Sequence, residues 1–428
     1  MSFTRIINIK GKKYLIEVES YWKDGKPRQR FIRYLGRIKE DKLIPPRIER
    51  LKVKAVCSFG LQLVLSKIIE SFNLSDWLDE SLLALAMLNI IEPSSINRAI
   101  LNFYKYSLDK VFNFKMDKSI YNLDLSEDFI FRKELELYKL FKLGYKRIFY
   151  DITDLYFYGT KCYLAKKGYS AKSTLPSIKI GLVIDNKGFP MFHKLFPGNV
   201  GSYKTLNLII NCLRAAKIRD CTIVLDRGFF SKDNVNLAKK EGYDLIVAVP
   251  RKGRLKRIKP STKWELIRLK STYIYAKRFG NFIICYNEPE AVRMKKIAIL
   301  RGIKPKDYGI YVLYSSKRLG IEQVIKCYFE KDLIERSFRC LKSVLGLQPT
   351  YTWVENKINL HLFICFLSYL FLNYMLIKLA DLKMSLNKII DELKCIYRIE
   401  FEDGMVKYST LSKNQEKILK RFDLVINL

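Results

Sequence analysis

Histidine is nearly absent from this chain, which has two, His193 and His361, among 428 residues. Neither has a nucleophile nearby in sequence, so histidine-based catalysis and histidine-rich metal sites are disfavoured, and His361 is expected to pack or hydrogen-bond within a helix. The nine cysteines contain no Cys-x-x-Cys pair. That argues against zinc ribbons and dithiol redox chemistry and leaves buried or free thiols of a reducing cytosol. No Gly-rich phosphate loop of the Walker type is found, so no ATP dependence is implied. Met1 to Lys13 lacks the apolar stretch of a secretory signal, and a cytoplasmic protein is expected. The apolar run Ile358 to Ile377 is about long enough to span a bilayer, but it carries Asn359, His361, Ser368 and Asn373, each costly in lipid. A buried core helix is expected there, with no membrane partner; a membrane anchor is the minor alternative.

Acidic residues are the other shortage. Asp and Glu number 43 against 78 Lys and Arg, a net charge of +35. A Lys-rich genome inflates such counts, but an excess this large suits a polyanionic partner through counterion release, and nucleic acid is the first candidate. The length exceeds one ordinary domain.

Ile6 to Ile38 alternates apolar and polar residues around Lys23-Asp24-Gly25-Lys26-Pro27, which predicts a hairpin. From Arg50 to Tyr145 the period is helical, with Leu61, Leu65 and Ile68 on one stripe and a helix start at Pro93-Ser94-Ser95. Strands follow at Arg147 to Phe157, Ile178 to Ile184 and Phe189 to Leu195, the last two joined by Asp185-Asn186-Lys187-Gly188. After a helical stretch, Ser202 to Lys217, a strand at Thr222 to Leu225, a helix capped by Ser231 and a strand at Leu245 to Val249 form one unit. Arg251 to Lys270 holds nine Lys or Arg and one acid, followed by strand-like pieces to Tyr314. Helical period returns from Ile321, and a charged tail is expected past Arg398.

Three carboxylates stand out. Asp151 lies among apolar neighbours in Phe149-Tyr150-Asp151-Ile152-Thr153-Asp154, where a lone charge needs a partner. In an extended strand Asp151 and Thr153 share a face and Asp154 takes the other. Asp226 ends a strand just before Arg227-Gly228, where α/β sheets present functional groups. In Tyr328-x2-Lys331-x3-Glu335-x6-Lys342 the offsets, read at about 100° per residue, fall within an arc of roughly 60°, with Arg339 beside them. A strand-edge salt bridge at Asp151, a turn-forming Asp226 and a solvated helix face are the bland readings of each alone.

Together, Tyr150-Asp151-Ile152-Thr153, Leu225-Asp226-Arg227-Gly228 and Tyr328 through Lys342 resemble the DDE transposases of insertion sequences, most nearly the family numbered four and its relatives, with their Tyr-x2-Arg-x3-Glu-x6-Lys signature. Tyr34-Leu35-Gly36, Pro93-Ser94-Ser95, Pro197-Gly198-Asn199 and Leu347-Gln348-Pro349 leading to His361 also have similar counterparts there. Lys331 departs from the family's arginine and loses the bidentate fork. Asp154 replaces a residue that is commonly threonine.

The resemblance implies an α/β, ribonuclease-H-like mixed sheet with flanking helices, interrupted by a β-rich insertion and preceded by a small β-unit and a helical module. The expected division is a basic β-hairpin unit (1–45), a helical DNA-end-binding or dimerisation module (46–145), the catalytic core (146–250 and 321–395), a basic β-rich insertion (251–320) and a charged tail (396–428). It further implies metal-dependent cleavage at element ends and strand transfer, with Asp151, Asp226 and Glu335 holding two Mg²⁺ ions, for which Mn²⁺ can substitute. Tyr328, Lys331, Arg339 and Lys342 would contact DNA, as would Arg251, Lys252, Arg254, Lys256 and Arg257 on the insertion. The implied partners are double-stranded DNA, as terminal inverted repeats and target, and a second copy in the DNA complex. A decayed remnant that grips DNA without cutting it is the alternative.

Overall fold

Alternating residues near the start of the chain form an antiparallel sheet of four strands, β1 (Ser2–Ile9), β2 (Lys12–Lys23), β3 (Lys26–Lys39) and β4 (Lys42–Ile44), in sequence order. The computed structural model describes residues 2–426 except 24–25, 47–51, 124, 142–143, 157–161, 168–174, 252–258, 260, 262, 270–271, 304–307 and 349–353. The Asp24-Gly25 turn, Arg50, Pro349 and the DNA-contact candidates Lys252, Arg254, Lys256 and Arg257 therefore lie outside the described residues.

The chain divides into two compact units, neither continuous in sequence. The first comprises Met1–Asn73, Asn97–Met116 and Lys378–Leu428. Besides the four-stranded sheet it holds β5 (Val53–Ser58), α1 (Gly60–Ser71) and most of α3 (Ile96–Lys105). The end of the chain adds α11 (Leu386–Lys394), β15 (Tyr397–Phe401), β16 (Val406–Tyr408) and α12 (Lys413–Arg421). Two expectations are corrected here. The stretch after Arg50 is not wholly helical, because β5 pairs antiparallel with β15. The segment past Arg398 is folded rather than a tail: Ile418, Leu419 and Phe422 are buried, and Ser412 and Gln415 form a capping box that starts α12. Its surface charge hid an amphipathic helix, whose apolar stripe occupies few positions.

The second unit comprises Leu74–Ile96 and Asp117–Ile377. Its sheet has nine strands in the order β11-β12-β13-β14-β10-β9-β6-β7-β8. The first three in sequence, β6 (Arg147–Tyr156), β7 (Ser177–Asp185) and β8 (Pro190–Pro197), form the expected antiparallel meander. Across β6, β9 (Thr222–Leu225) and β10 (Asp244–Val249) run parallel to it, reached through α5 (Ser202–Ala215) and α6 (Lys232–Lys240). Three antiparallel strands with two parallel ones beside the first is ribonuclease-H-like connectivity.

The segment after β10 extends this sheet instead of leaving it. The strands β11 (Glu265–Arg268), β12 (Tyr273–Phe279), β13 (Phe282–Tyr286) and β14 (Ile310–Ser315) add on through β14, which pairs with β10. A helix not foreseen from the pattern, α7 (Glu288–Leu300), stands between β13 and β14; Asn287 caps it and Pro289 sits in its first turn. Its apolar residues are spread around the helix rather than concentrated on one stripe, and only Ala291 and Ala298 are buried.

The remaining helices are α2 (Glu80–Ile91), α4 (Glu127–Leu140), α8 (Ile321–Phe329), α9 (Asp332–Arg339) and α10 (Glu355–Lys378). The apolar run in α10 is a core helix. It is long and apolar enough to cross a membrane, but its polar side chains bond inside the unit: Asn359 to Leu125 O, Ser368 to Ala86 O and Asn373 to Gly188 O. Uniform hydrophobicity around the helix matches burial on all sides. His361, on the same helix, is half-buried, and desolvation pushes its imidazole below the ordinary value. His193, on β8, is locked to Glu134 of α4 through both its ring nitrogen Nδ1 and its backbone N–H.

Gly198 ends β8 where two backbones meet. A Cβ there would lie 2.0 Å from the carbonyl oxygen of Ser177 and 2.5 Å from that of Lys166, two residues paired with each other across an isolated bridge. Gly198→Ala is expected to destabilise the fold by about 3 kcal/mol, read as a lower midpoint in urea unfolding. An unchanged midpoint would refute the close approach.

Candidate active site

Two strand registers bring the aspartates together. β6 and β9 pair with Arg147 beside Thr222, Ile148 beside Ile223 and Phe149 beside Val224. Carried two residues further, the same register sets Asp151 level with Asp226 on neighbouring strands, which lie about 4.8 Å apart. β9 ends at Leu225, so Asp226 projects from the carboxyl end of a parallel strand and caps the short turn Arg227–Phe229 by accepting from Arg227 N (2.7 Å). Asp151 Oδ1 accepts from Ile152 N (2.9 Å).

Glu335 comes from α9, which packs on β6. Lys331 joins the groups: its Nζ lies 3.0 Å from Glu335 Oε1 and 3.5 Å from Asp226 Oδ2. Asp226 and Glu335 therefore can be no farther apart than those two contacts laid end to end, and Asp151 feels Lys331, Asp226 and Glu335 electrostatically. Tyr328 Oη completes the group by donating to Asp226 Oδ1 (3.3 Å).

Burial pushes the Asp151 carboxyl up from its ordinary 3.8 to about 6. Ile152 N–H and Lys331 pull it back, while the charges of Asp226 and Glu335 push it further up. For Lys331, burial acts to lower the ammonium, but Asp226, Glu335 and Asp151 outweigh it and the net shift is upward. Burial also holds the Tyr328 phenol above its usual range, with Asp226 adding to the effect. The three carboxylates thus outnumber the Lys331 ammonium set among them. Its donors are hard carboxylate oxygens, the set that suits Mg²⁺ or Mn²⁺. Among the described residues no group of three His, Cys, Asp or Glu is spaced to hold an ion as it stands; the Lys331 ammonium lies between two of the three carboxylates.

The uninterrupted helix expected from Tyr328 to Lys342 is corrected. α8 stops at Phe329, and the chain tightens to i+3 bonds at Lys331, Leu333 and Ile334 before α9 continues. It then widens to a π-turn over Cys340–Val344, with an i+5 bond from Leu345 N to Cys340 O. One uniform rotation per residue therefore does not apply, and π-turns are common at functional sites. Lys342 consequently points to β6, where Nζ donates to Thr153 Oγ1 (2.6 Å) and Asp154 O (3.0 Å). Burial lowers its ammonium. Gln348 donates to the same Asp154 carbonyl (2.9 Å). Asp154's own carboxylate accepts from Ser177 Oγ at 3.4 Å. Arg339 is exposed at the end of α9, and Arg251 is half-buried just past β10.

Two contributors escaped the sequence reading. Arg147, at the start of β6, pairs with Glu330 (2.8 Å) at the α8–α9 junction. Tyr311 of β14 stacks under Tyr328, centroids 6.4 Å apart. Glu330 inside the recognised motif was the available hint of the first; Tyr311 had none, because its partner is set by the sheet.

A family model described as a transposase DDE domain matches residues 142–371. No curated protein matches the chain. Among solved structures it is similar to a piggyBac transposase synaptic complex with hairpin DNA, at 16% identity over 77% of this chain and 70% of that one, TM-score 0.41. It is also similar to Aquifex aeolicus Argonaute (15%, covering 51% and 29%, TM-score 0.23) and to the Mos1 transposase paired-end complex with left transposon end (9%, covering 37% and 56%, TM-score 0.18).

Proposed function

The chain belongs to the DDE transposase family, and on that premise we propose that it cuts DNA at the ends of a mobile element and joins those ends to target DNA. The observation that carries the reading is the convergence of Asp151, Asp226 and Glu335 around Lys331 from β6, β9 and α9. Family membership supports divalent-metal chemistry. Asp151, Asp226 and Glu335 would hold the proposed complement of two Mg²⁺ ions, replaceable by Mn²⁺. When bound, they activate the attacking water or 3′-hydroxyl and neutralise charge at the phosphorus and leaving oxygen.

The protein's residues prepare that site. Tyr328 orients Asp226 by donating to one of its oxygens and rests on Tyr311. Lys342 and Gln348 fasten β6 three residues beyond Asp151, so Lys342 is proposed as a positioning residue for the strand rather than a phosphate contact. Double-stranded DNA, as element ends and target, suits the +35 charge, and a homodimer is proposed to pair the two ends.

Incubating the chain with Mg²⁺ and duplexes carrying the DNA that flanks its gene tests the reading. Breaks at fixed positions that leave 3′-hydroxyls, followed by joining to a second duplex, are expected. Breaks of equal yield in EDTA, or none with any flanking duplex, would sink it.

A further inference from the structure

The β2–β3 hairpin outruns its sheet. β1 pairs with β2 only as far as Ser2 opposite Glu19, whereas β2 and β3 go on pairing through Ser20–Gln29, Tyr21–Arg28, Trp22–Pro27 and Lys23–Lys26. Among the described residues this outer ribbon has no third strand, and Tyr21, Trp22, Lys26, Pro27, Arg28, Gln29, Arg30 and Phe31 are all exposed, Trp22 by 75%. Two-stranded ribbons are marginal in water on their own.

Cross-strand register sorts the two faces. One carries Ser20, Trp22, Pro27, Gln29 and Phe31, with no charge of its own, and Arg5 of β1 reaches its Gln29 (2.9 Å). The other carries Glu19, Tyr21, Lys26, Arg28 and Arg30. Across β1 to β4 there are eleven Lys and Arg against two Glu, and both glutamates are already held, Glu17 by Arg33 and Glu19 by Arg30, each at 2.6 Å. Lys26 and Arg28 have no carboxylate partner among the described residues. Their charge is offered to something outside the chain.

We propose that this ribbon is a DNA-binding arm that lies in a groove of duplex DNA with its Tyr21, Lys26 and Arg28 face against the nucleic acid. A two-stranded ribbon fits the major groove, about 12 Å wide, and unspent cations on one face complement phosphate. A second copy of the chain would instead be met by the uncharged Trp22 and Phe31 face. The inference rests on the reading of the chain as a DNA-acting protein, but the arm's residues belong to the first unit and the carboxylates to the second.

The test uses full-length protein, a 60-base-pair duplex from the DNA flanking the gene and a random duplex of equal length. K26A/R28A is expected to weaken duplex binding about tenfold or more and to flatten the log–log salt dependence by roughly two, while the unfolding midpoint stays unchanged. W22A/F31A is expected to leave sedimentation unchanged. Wild-type affinity and salt slope in K26A/R28A would overturn the arm while leaving the cleavage reading standing. So would a W22A/F31A variant that loses a self-associated form while K26A/R28A binds normally. A wild-type chain that binds neither duplex would overturn both.

Discussion

Asp151→Asn is expected to lower strand cleavage by about a thousandfold or more while leaving DNA affinity within about twofold of wild type. The rate loss follows from removing a carboxylate proposed to hold the divalent ions, whose stabilisation of transition-state charge is worth several kcal/mol. Affinity survives because a carboxylate contributes nothing favourable to phosphate binding. The same substitution changes metal-free stability with a definite sign. Burial raises the native carboxyl to about 6, above the ordinary 3.8 of an unfolded chain. The native state therefore holds its proton more tightly, and the associated stability is full below pH 4 and is lost as pH rises through 6. That difference corresponds to about 3 kcal/mol at most. Urea unfolding in chelator at pH 4 and pH 7 should show wild type losing this increment and the asparagine variant lacking that loss. Identical pH dependence in the two proteins would show that the carboxyl is not buried as described.

The second large effect concerns Lys331. Its ammonium touches Asp226 and Glu335 and is only 12% exposed, so a divalent cation entering the carboxylates has to displace or share with it. Lys331→Met is expected to tighten Mg²⁺ or Ca²⁺ binding, measured by calorimetry without DNA, on the order of tenfold. A bare Coulomb estimate at 4 Å would be larger, about 4 kcal/mol at an effective dielectric of 20, but Asp226 and Glu335 are 45% and 51% exposed and water screens them. Without the ammonium, repulsion between the two carboxylates should also lower the metal-free melting temperature, and added cation should restore it. Unchanged or weaker metal binding in the methionine variant would mean that Lys331 does not compete for the site.

Much of the catalytic unit is visible in the residue pattern, for physical reasons that act locally. The β-rich run Ile178 to Ile184 predicts a strand, and β7 spans Ser177–Asp185. Asp185 and Gly188 predict the β7–β8 turn, where the Asp185 side chain accepts from Lys187 N and Phe189 N and Gly188 takes φ +81°. Ser231 predicts the start of α6, and its hydroxyl accepts from Asn234 N. The motif at Tyr328, Lys331 and Glu335 is legible as well, since side chains three and four apart meet in helical backbone. At Lys342 that reasoning lacks its premise of a single repeat, because the backbone passes from i+3 to i+5 bonding within a few turns, yet Lys342 still reaches Thr153 of β6.

By itself, the sequence determined the type of most elements and the excess of positive charge, because propensity, capping and hydrophobic period act over a few neighbouring residues, and its resemblance to a known family picked out the three candidate carboxylates. Tertiary structure alone decided that β6 and β9 align in the register that sets Asp151 level with Asp226, that β14 joins the catalytic sheet at β10, and that β5 finds β15 near the other end of the chain. Strand pairing is a contest among all exposed backbone edges, won by the burial that each register permits, and no local run of residues records its outcome. The position of Lys331 between Asp226 and Glu335 belongs to the same class: its charge is written in the chain, and one of the two neighbours it satisfies is chosen by the fold.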